Sequence, residues 1–336
     1  MAGRPRKHMT DLRRPARVWR VGTRGSRLAR AQTRSVIDQL QERFPQERFE
    51  PVVIRTAGDA DRTRDLAQFD AVGVFVKELE RALLTGEVDL VVHSAKDLPT
   101  LGPEELAVAA FPRRGWTCDL LLCREPWPVD PATGLPALPE GSRVGTASVR
   151  RRAQVAAWRP DLRLATLRGN VDTRLRRLAE GEYDGIVLAA AGLARLGLLP
   201  GGGAGGPGPA GQWMPLSGLE SLHAYPLPLD RFVPAPGQGA LAVQVRAGDE
   251  AVMAMAAGID DPATSVAVRA ERAFLAGMGS SCAVPIGAVG RVAGETLELL
   301  TYYAGAEPTH RHWTGPSRLP EDLGRRAARA MLPPGE

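Results

Sequence analysis

The chain has 336 residues, 44% of them hydrophobic and 24% charged, with a formal net charge of +5. That composition excludes a disordered or fibrous polypeptide, and no apolar run approaches the ~20 residues needed to span a bilayer. Three cysteines make no disulfide framework and suit a reducing compartment.

The start, MAGRPRKHMTDLRRPARVWR, is basic without an apolar stretch behind it, so residues 1–17 read as a disordered basic tail and not as a secretory leader. From Val18 the pattern becomes regular. Val18–Thr23 reads as a strand, and Ser26 as the N-cap of a helix reaching Glu42. Phe49–Thr56 is a second strand, Gly73–Leu84 a helix, and Asp89–His93 (DLVVH) a buried strand. Alternating strands and helices imply an α/β sheet.

The pattern then repeats. VGTRGSRLARAQ (21–32) is similar to VGTASVRRRAQ (144–154), and GEVDLVVHSAKDL (86–98) aligns without a gap on GEYDGIVLAAAGL (181–193). Two related α/β lobes follow, with an interlobe cleft as the place for a ligand. Leu198–Gly211 is a Gly/Pro-rich surface loop. PGQGA (236–240) reads as a hinge or turn between lobes. After about Asp260 a small α+β segment carries a helix (Ser265–Ala276), a Gly/Ser turn around Cys282, a β-rich stretch (Ala288–Tyr303) and a final helix (Asp322–Met331).

Three groups of residues could carry chemistry. The first is a set of Ser/Thr/Arg helix starts: Thr23, Arg24 and Ser26; Thr146, Ser148, Arg150 and Arg151; and Arg168, Gly169 and Asn170 with Arg174 and Arg176. Helix N-termini attract anions, so arginine there has the wrong sign unless an anion meets it. A ligand with several carboxylates or phosphates is one reading, and solvated surface arginine the other. The second is HSAKDLP (93–99), following a buried strand. Of 43 basic residues only Lys7, Lys77 and Lys96 are lysine, which singles out Lys96. Asp97 is either a turn cap or a carboxylate that stabilises a cation and shuttles a proton. His93 reads as a packed core histidine. The third is Cys282 in GSSCAVPIG (279–287), a small buried residue or an accessible nucleophile. Cys118 and Cys123, in WTCDLLLC, read as core. No cluster has metal-ligand spacing, so no metal is expected.

HSAKDLP, VGTASVRR, LRGNVDTRL, VPAPGQGALAV, ERAFL and CAVPIG, in this order from about Arg20 to Gly287, resemble the hydroxymethylbilane synthase (porphobilinogen deaminase) family. The resemblance implies two periplasmic-binding-protein-like (type II) lobes around a cleft plus a small C-terminal α+β domain. It places lobe one at 18–117 and 240–258, lobe two at 118–239, and a cofactor-attachment domain at 259–336. It implies a cytoplasmic transferase of porphyrin and heme biosynthesis that joins four porphobilinogen molecules head to tail, releases four ammonia, and yields linear hydroxymethylbilane. Its dipyrromethane primer would be bound covalently, through a thioether to Cys282.

The same resemblance implies that Asp97 is catalytic, and that Ser94, Lys96, Asp97, Thr146, Ser148, Arg150, Arg151, Arg168 and Gly169 contact the cofactor. Arg24, Ser26, Phe75, Arg168, Arg174 and Arg195 would contact substrate. A monomer is expected, with a transient hand-over to uroporphyrinogen-III synthase and with no nucleic-acid or membrane partner. The sequence departs from the family in AQFDAVGVF (67–75), where Gln68 and Val72 stand in place of common lysines, and at Ala147 and Ser280–Ser281. A weak or inactive small-anion-binding relative on the same scaffold is the alternative. A nucleic-acid-binding protein is disfavoured, because the sequence contains no recognisable recognition module.

Overall fold

The structure, a computed structural model, describes residues 17–54, 73–199, 211–279 and 284–332. The basic tail, the 67–72 part of the altered loop, most of the Gly/Pro loop, Cys282 with its neighbours Ser280 and Ser281, and the side chain of Phe75 lie outside the described residues.

In chain order the first lobe contains β1 (Val18–Arg24), α1 (Arg27–Arg43), β2 (Arg48–Ile54), α2 (Gly73–Leu84), β3 (Leu90–Ser94) and β4 (Leu106–Ala110). A single 3-10 turn, Ala95–Asp97, follows β3. The second lobe contains β5 (Asp119–Cys123), a small ribbon of β6 (Val129–Asp130) and β7 (Leu135–Pro136), β8 (Arg143–Gly145), α3 (Val149–Trp158), β9 (Arg163–Ala165), α4 (Val171–Ala179), β10 (Gly185–Ala189), α5 (Ala190–Arg195), β11 (Met214–Leu216) and β12 (Leu219–Pro226). The chain then returns to the first sheet as β13 (Leu241–Arg246).

The sheets are ordered β2-β1-β3-β13-β4 and β11-β12-β5-β10-β8-β9. Read from the β9 end, the second repeats the five-strand order of the first, two parallel neighbours, a third strand, then an antiparallel strand and one beyond it, and adds β11 at its edge. The antiparallel strand is the one that crosses between lobes, β13 beside β3 and β5 beside β10. This is the type II arrangement expected from the resemblance.

The internal repeat has a physical basis. Asp89 accepts a hydrogen bond from the backbone N–H of Arg20 at 2.8 Å, and Asp184 accepts the equivalent bond from Arg143 at 2.7 Å. Ser26 and Ser148 each cap the helix that follows the first strand of their lobe, accepting from the amides of Ala29 and Arg151. The apolar strand residues, such as Val21 and Leu90 in one lobe and Leu120 and Ile186 in the other, are fully buried.

The last segment holds α6 (Glu250–Ala257), α7 (Pro262–Gly277), an antiparallel sheet of β14 (Ile286–Ala293), β15 (Thr296–Ala304) and β16 (Pro308–Pro316), and α8 (Pro320–Met331). Helix α7 starts earlier than Ser265 because Asp261 caps it, accepting from the Thr264 amide, with Pro262 in the first turn. Strand β16 escapes sequence reading because PTHRHWTGP is polar and bounded by prolines, which suits an edge strand. At the margin of the Gly/Pro loop, Leu199 is buried, so the expected surface loop does not include it.

The two interlobe crossings are tied together. The Gly115 amide donates to the Gly239 carbonyl, and Arg114 Nε donates to the Gln238 carbonyl at 2.8 Å. Glu271 on α7 is completely buried and accepts from Arg114 Nη1 and Nη2, from the Gly237 amide at 2.6 Å and from the Gly290 amide at 2.7 Å. One carboxylate thus joins a crossing, the PGQGA turn and the C-terminal domain.

Candidate active site

Between the lobes lies a cavity of about 210 Å³. The carboxyl ends of strands and the starts of helices face it, as α/β topology requires. From lobe one come Arg24, Ser26, Ser94, Lys96 and Asp97; from lobe two come Arg151, Gly169, Arg174 and Arg195. Thr146, Ser148, Arg150 and Arg168 do not line it. Thr146 is buried and accepts from the Ser148 amide, and Ser148 is the cap of α3. Arg168 is exposed just ahead of α4.

Asp97 closes the 3-10 turn after β3 and is exposed to the cleft. The turn separates the directions of Lys96 and Asp97 less than a strand would, so both line one cavity. Lys96 Nζ lies 3.4 Å from Gln238 Oε1. Burial, and then the positive charge of Arg151, push the Lys96 ammonium down to about 8, against the opposing pull of Asp97 and Asp119.

Asp119, which sequence reading passed over, organises the cleft floor. It is fully buried at the start of β5. Its Oδ1 accepts from Arg151 Nε at 3.0 Å, Arg151 Nη2 at 2.6 Å and Gln238 Nε2 at 3.0 Å, while Oδ2 pairs with Arg150 Nη2 at 2.8 Å. Burial alone would raise the Asp119 carboxyl, but Arg150 and Arg151 outweigh it and hold it at about 2. The signal was present: a charged residue inside WTCDLLLC needs buried partners.

The tandem arginines are therefore unequal. Arg150 donates to the Val233 carbonyl at 2.6 Å and lies over the Phe232 ring, so it ties lobe two internally. Arg151 gives its Nε side to Asp119 and one Nη1 bond to the Val187 carbonyl, and its end reaches the cavity. Arg174 Nε donates to the Gly169 carbonyl and Arg195 Nη2 to the Gly239 carbonyl, at 2.7 and 2.6 Å. Burial lowers both guanidiniums to about 10, with Arg151 adding to the effect at Arg174. Asn170, from the third helix-start group, also lines the cavity, and so do Arg27, Gln32 and Asp172, which were not singled out from sequence.

Other residues are excluded from chemistry by their surroundings. His93 is buried, bonded to Gln244 Oε1 at 2.9 Å, and held neutral at about 4 by burial. Cys118 and Cys123 are buried, and burial pushes both thiols up to about 12. Among the described residues no cluster of three or more His, Cys, Asp or Glu could hold a metal, and no helix is long and apolar enough to cross a membrane.

Among the described residues, six cationic side chains line the cavity against two carboxylates, Asp97 and Asp172. Net positive charge on this scale, partly desolvated, favours an anionic ligand with several charges. The fold and cleft define a two-lobed α/β protein built to hold a polycarboxylate or similar polyanion. Comparison with known proteins makes the class specific. The model described as porphobilinogen deaminase, dipyromethane cofactor binding domain matches residues 19–254, and that of porphobilinogen deaminase, C-terminal domain matches 265–333. A porphobilinogen deaminase of Roseiflexus castenholzii is 45% identical over 84% of each chain, and one of Brevibacillus brevis is 40% identical over 94% of each. Among solved structures, a periplasmic binding protein of Salmonella typhimurium aligns at 10% identity and a TM-score of 0.39, over 74% of this chain and 94% of that one. The chain belongs to the porphobilinogen deaminase family.

The residues present fit the family's dipyrromethane group. Each pyrrole of that group brings two carboxylates, so two rings bring four, and the cavity lining has an excess of four positive charges. Of the residues the resemblance assigns to that group, Ser94, Lys96, Asp97, Arg151 and Gly169 line the cavity and would hold it.

Proposed function

We propose that this chain is a hydroxymethylbilane synthase that condenses four porphobilinogen molecules, releasing ammonia at each step. The observation that carries this reading is the convergence of Lys96 and Asp97 from one lobe with Arg151, Arg174 and Arg195 from the other on one cavity. The proposed division is lobe one at 18–117 and 240–258, lobe two at 118–239, and the attachment domain at 259–336 carrying Cys282. The two sheets and the β13 return support it.

When bound, the dipyrromethane supplies a nucleophilic pyrrole carbon as primer. The chain's own residues do the rest. Guanidiniums fix acetate and propionate groups by paired N–H donation and so orient the rings. Asp97 is exposed to the cleft and lines the cavity beside Lys96. It accepts pyrrole N–H bonds, stabilises the cation left on the substrate as ammonia departs, and takes up a proton once the new bond has formed. Lys96 adds a positive charge that Gln238 orients. Arg150 and Asp119 keep Arg151 aimed at the ligand. Arg24, Ser26, Ser94 and Gly169 serve as further ligand contacts on the cavity wall. The reading includes a cytoplasmic monomer that passes its product to a cyclising synthase.

The test is the intact mass of the purified protein with peptide mapping around Cys282. A dipyrromethane-sized increment on that peptide is the expected result. An unmodified Cys282 after incubation with porphobilinogen or preformed hydroxymethylbilane would overturn it and leave a binding-only relative.

A further inference from the structure

One contact bridges the lobes within the cavity wall. Arg27, the first residue of α1, places Nη1 3.2 Å from Oδ1 of Asp172 in the first turn of α4. Beside it Leu28 faces Gly192 in α5, where an added methyl would stand 3.5 Å from Leu28 Cδ2. All four residues line the cavity. The Arg27 and Asp172 side chains are 64% and 50% exposed, so their pairing biases the lobes together only a few-fold and is readily exchanged.

The two partners are not equally at home. Asp172 sits in the first turn of its helix, where a negative charge is favoured whether or not Arg27 is near. Arg27 sits in the first turn of α1, which has no acidic residue, so its charge opposes the helix dipole and gains from an anion brought from elsewhere. Asp172 supplies one from across the cleft. The cavity behind the pair, about 210 Å³, is also smaller than the roughly 300–1,000 Å³ that encloses a drug-sized ligand. A lengthening chain of rings must part the lobes, and parting them breaks this pair.

On the synthase reading above, we propose that Arg27 is a further carboxylate-binding residue. It is paired with Asp172 until a carboxylate of the growing pyrrole chain replaces that partner. Arg27 then keeps one negative partner throughout, and Asp172 returns to water at its helix start. The cleft gains a cation for later rings without leaving it uncompensated beforehand.

The test compares Asp172→Asn, Arg27→Gln and the double variant, all at exposed positions compatible with folding. Steady-state KM and kcat for porphobilinogen are measured, with intact masses of the enzyme-bound intermediates at limiting substrate. Asp172→Asn is expected to lower KM by about two- to fivefold, because Arg27 no longer exchanges a resident partner. Arg27→Gln is expected to raise KM by a similar factor and to accumulate incompletely elongated chains. The double variant should match Arg27→Gln, since Asp172 acts only through Arg27. A latch whose sole role is structural would move both single variants in the same direction. Shifts of the same sign, or an unchanged KM in Asp172→Asn, overturn the proposal while leaving the synthase reading intact. A wild-type protein that makes no hydroxymethylbilane overturns both.

Discussion

Arg151 lays Nε and Nη2 on a single oxygen of Asp119, at 3.0 and 2.6 Å, while Arg150 takes the other oxygen at 2.8 Å. One buried carboxylate thus serves two guanidiniums, and the triad keeps one positive charge for the cleft. The charge it retains is presented by Arg151, whose end borders the cavity.

Asp119→Asn leaves two buried cations without their anion. Breaking a buried pair in this way costs about 3–5 kcal/mol, and urea unfolding should show a loss of that size. The acid side should change too. The Asp119 carboxyl sits at about 2 in the folded chain against an ordinary 3.8, so its stabilisation is complete above about 4 and is lost as pH falls toward 2. That part of the acid-unfolding limb should be missing in the variant. An unchanged urea midpoint would show that the triad is dispensable.

Asp97→Asn should leave the fold intact, since Asp97 is exposed in a short turn. Loss of a group that moves a proton and stabilises a cation should lower the rate of hydroxymethylbilane formation by at least about 10²-fold. Circular dichroism checks the fold and a product assay the rate. A rate within tenfold of wild type would remove Asp97 from the mechanism.

Lys96 provides a pH dependence of the opposite sign from the usual lysine salt bridge. Its ammonium is lowered from 10.5 to about 8, so burying the charged form weakens the unliganded fold below about 8. That penalty is relieved as pH rises from 8 toward 10.5. Carboxylate binding needs the charged form, so KM for porphobilinogen should rise as pH passes 8. Lys96→Met should bind more weakly at pH 7 and show a flatter KM profile through that range. A wild-type KM that is flat from pH 7 to 9 would contradict this role.

Gly239 has φ +86°, and a Cβ there would stand 2.7 Å from the Trp116 carbonyl oxygen. The position combines a left-handed backbone with close approach of the other crossing. Gly239→Ala should therefore destabilise by at least about 1–3 kcal/mol, read as a lower Tm in calorimetry. A Tm equal to wild type would mean that the turn relaxes freely.

Much of this was legible in the chain. The paired motifs VGTRGS and VGTASV announced two helix starts, with Ser26 read as a cap, and both Ser26 and Ser148 cap their helices. DLVVH and its neighbours announced a buried strand, displaced by one residue in the structure. Arginine at helix starts left a polyanion or solvated surface as readings, and of that set Arg24, Arg151 and Arg174 line the cavity while Arg150 and Arg168 do not. Harder to see was which arginine faces outward, since Arg150 and Arg151 are adjacent and chemically identical. Strand β16 and the early start of α7 were missed for local reasons, an edge strand rich in polar residues and a cap preceding a proline.

By itself the sequence determined the α/β repeat, the arginines at helix starts and the Lys96–Asp97 pair, because caps, apolar runs and charge signs are local properties. Only the tertiary structure decided which of those charges meet. Asp119 reaches Arg150 and Arg151 across a sheet, Glu271 joins three segments that lie far apart in the chain, and Arg27 finds Asp172 across 145 residues. Such pairings depend on how two lobes are laid against each other, and no spacing along the chain encodes that distance.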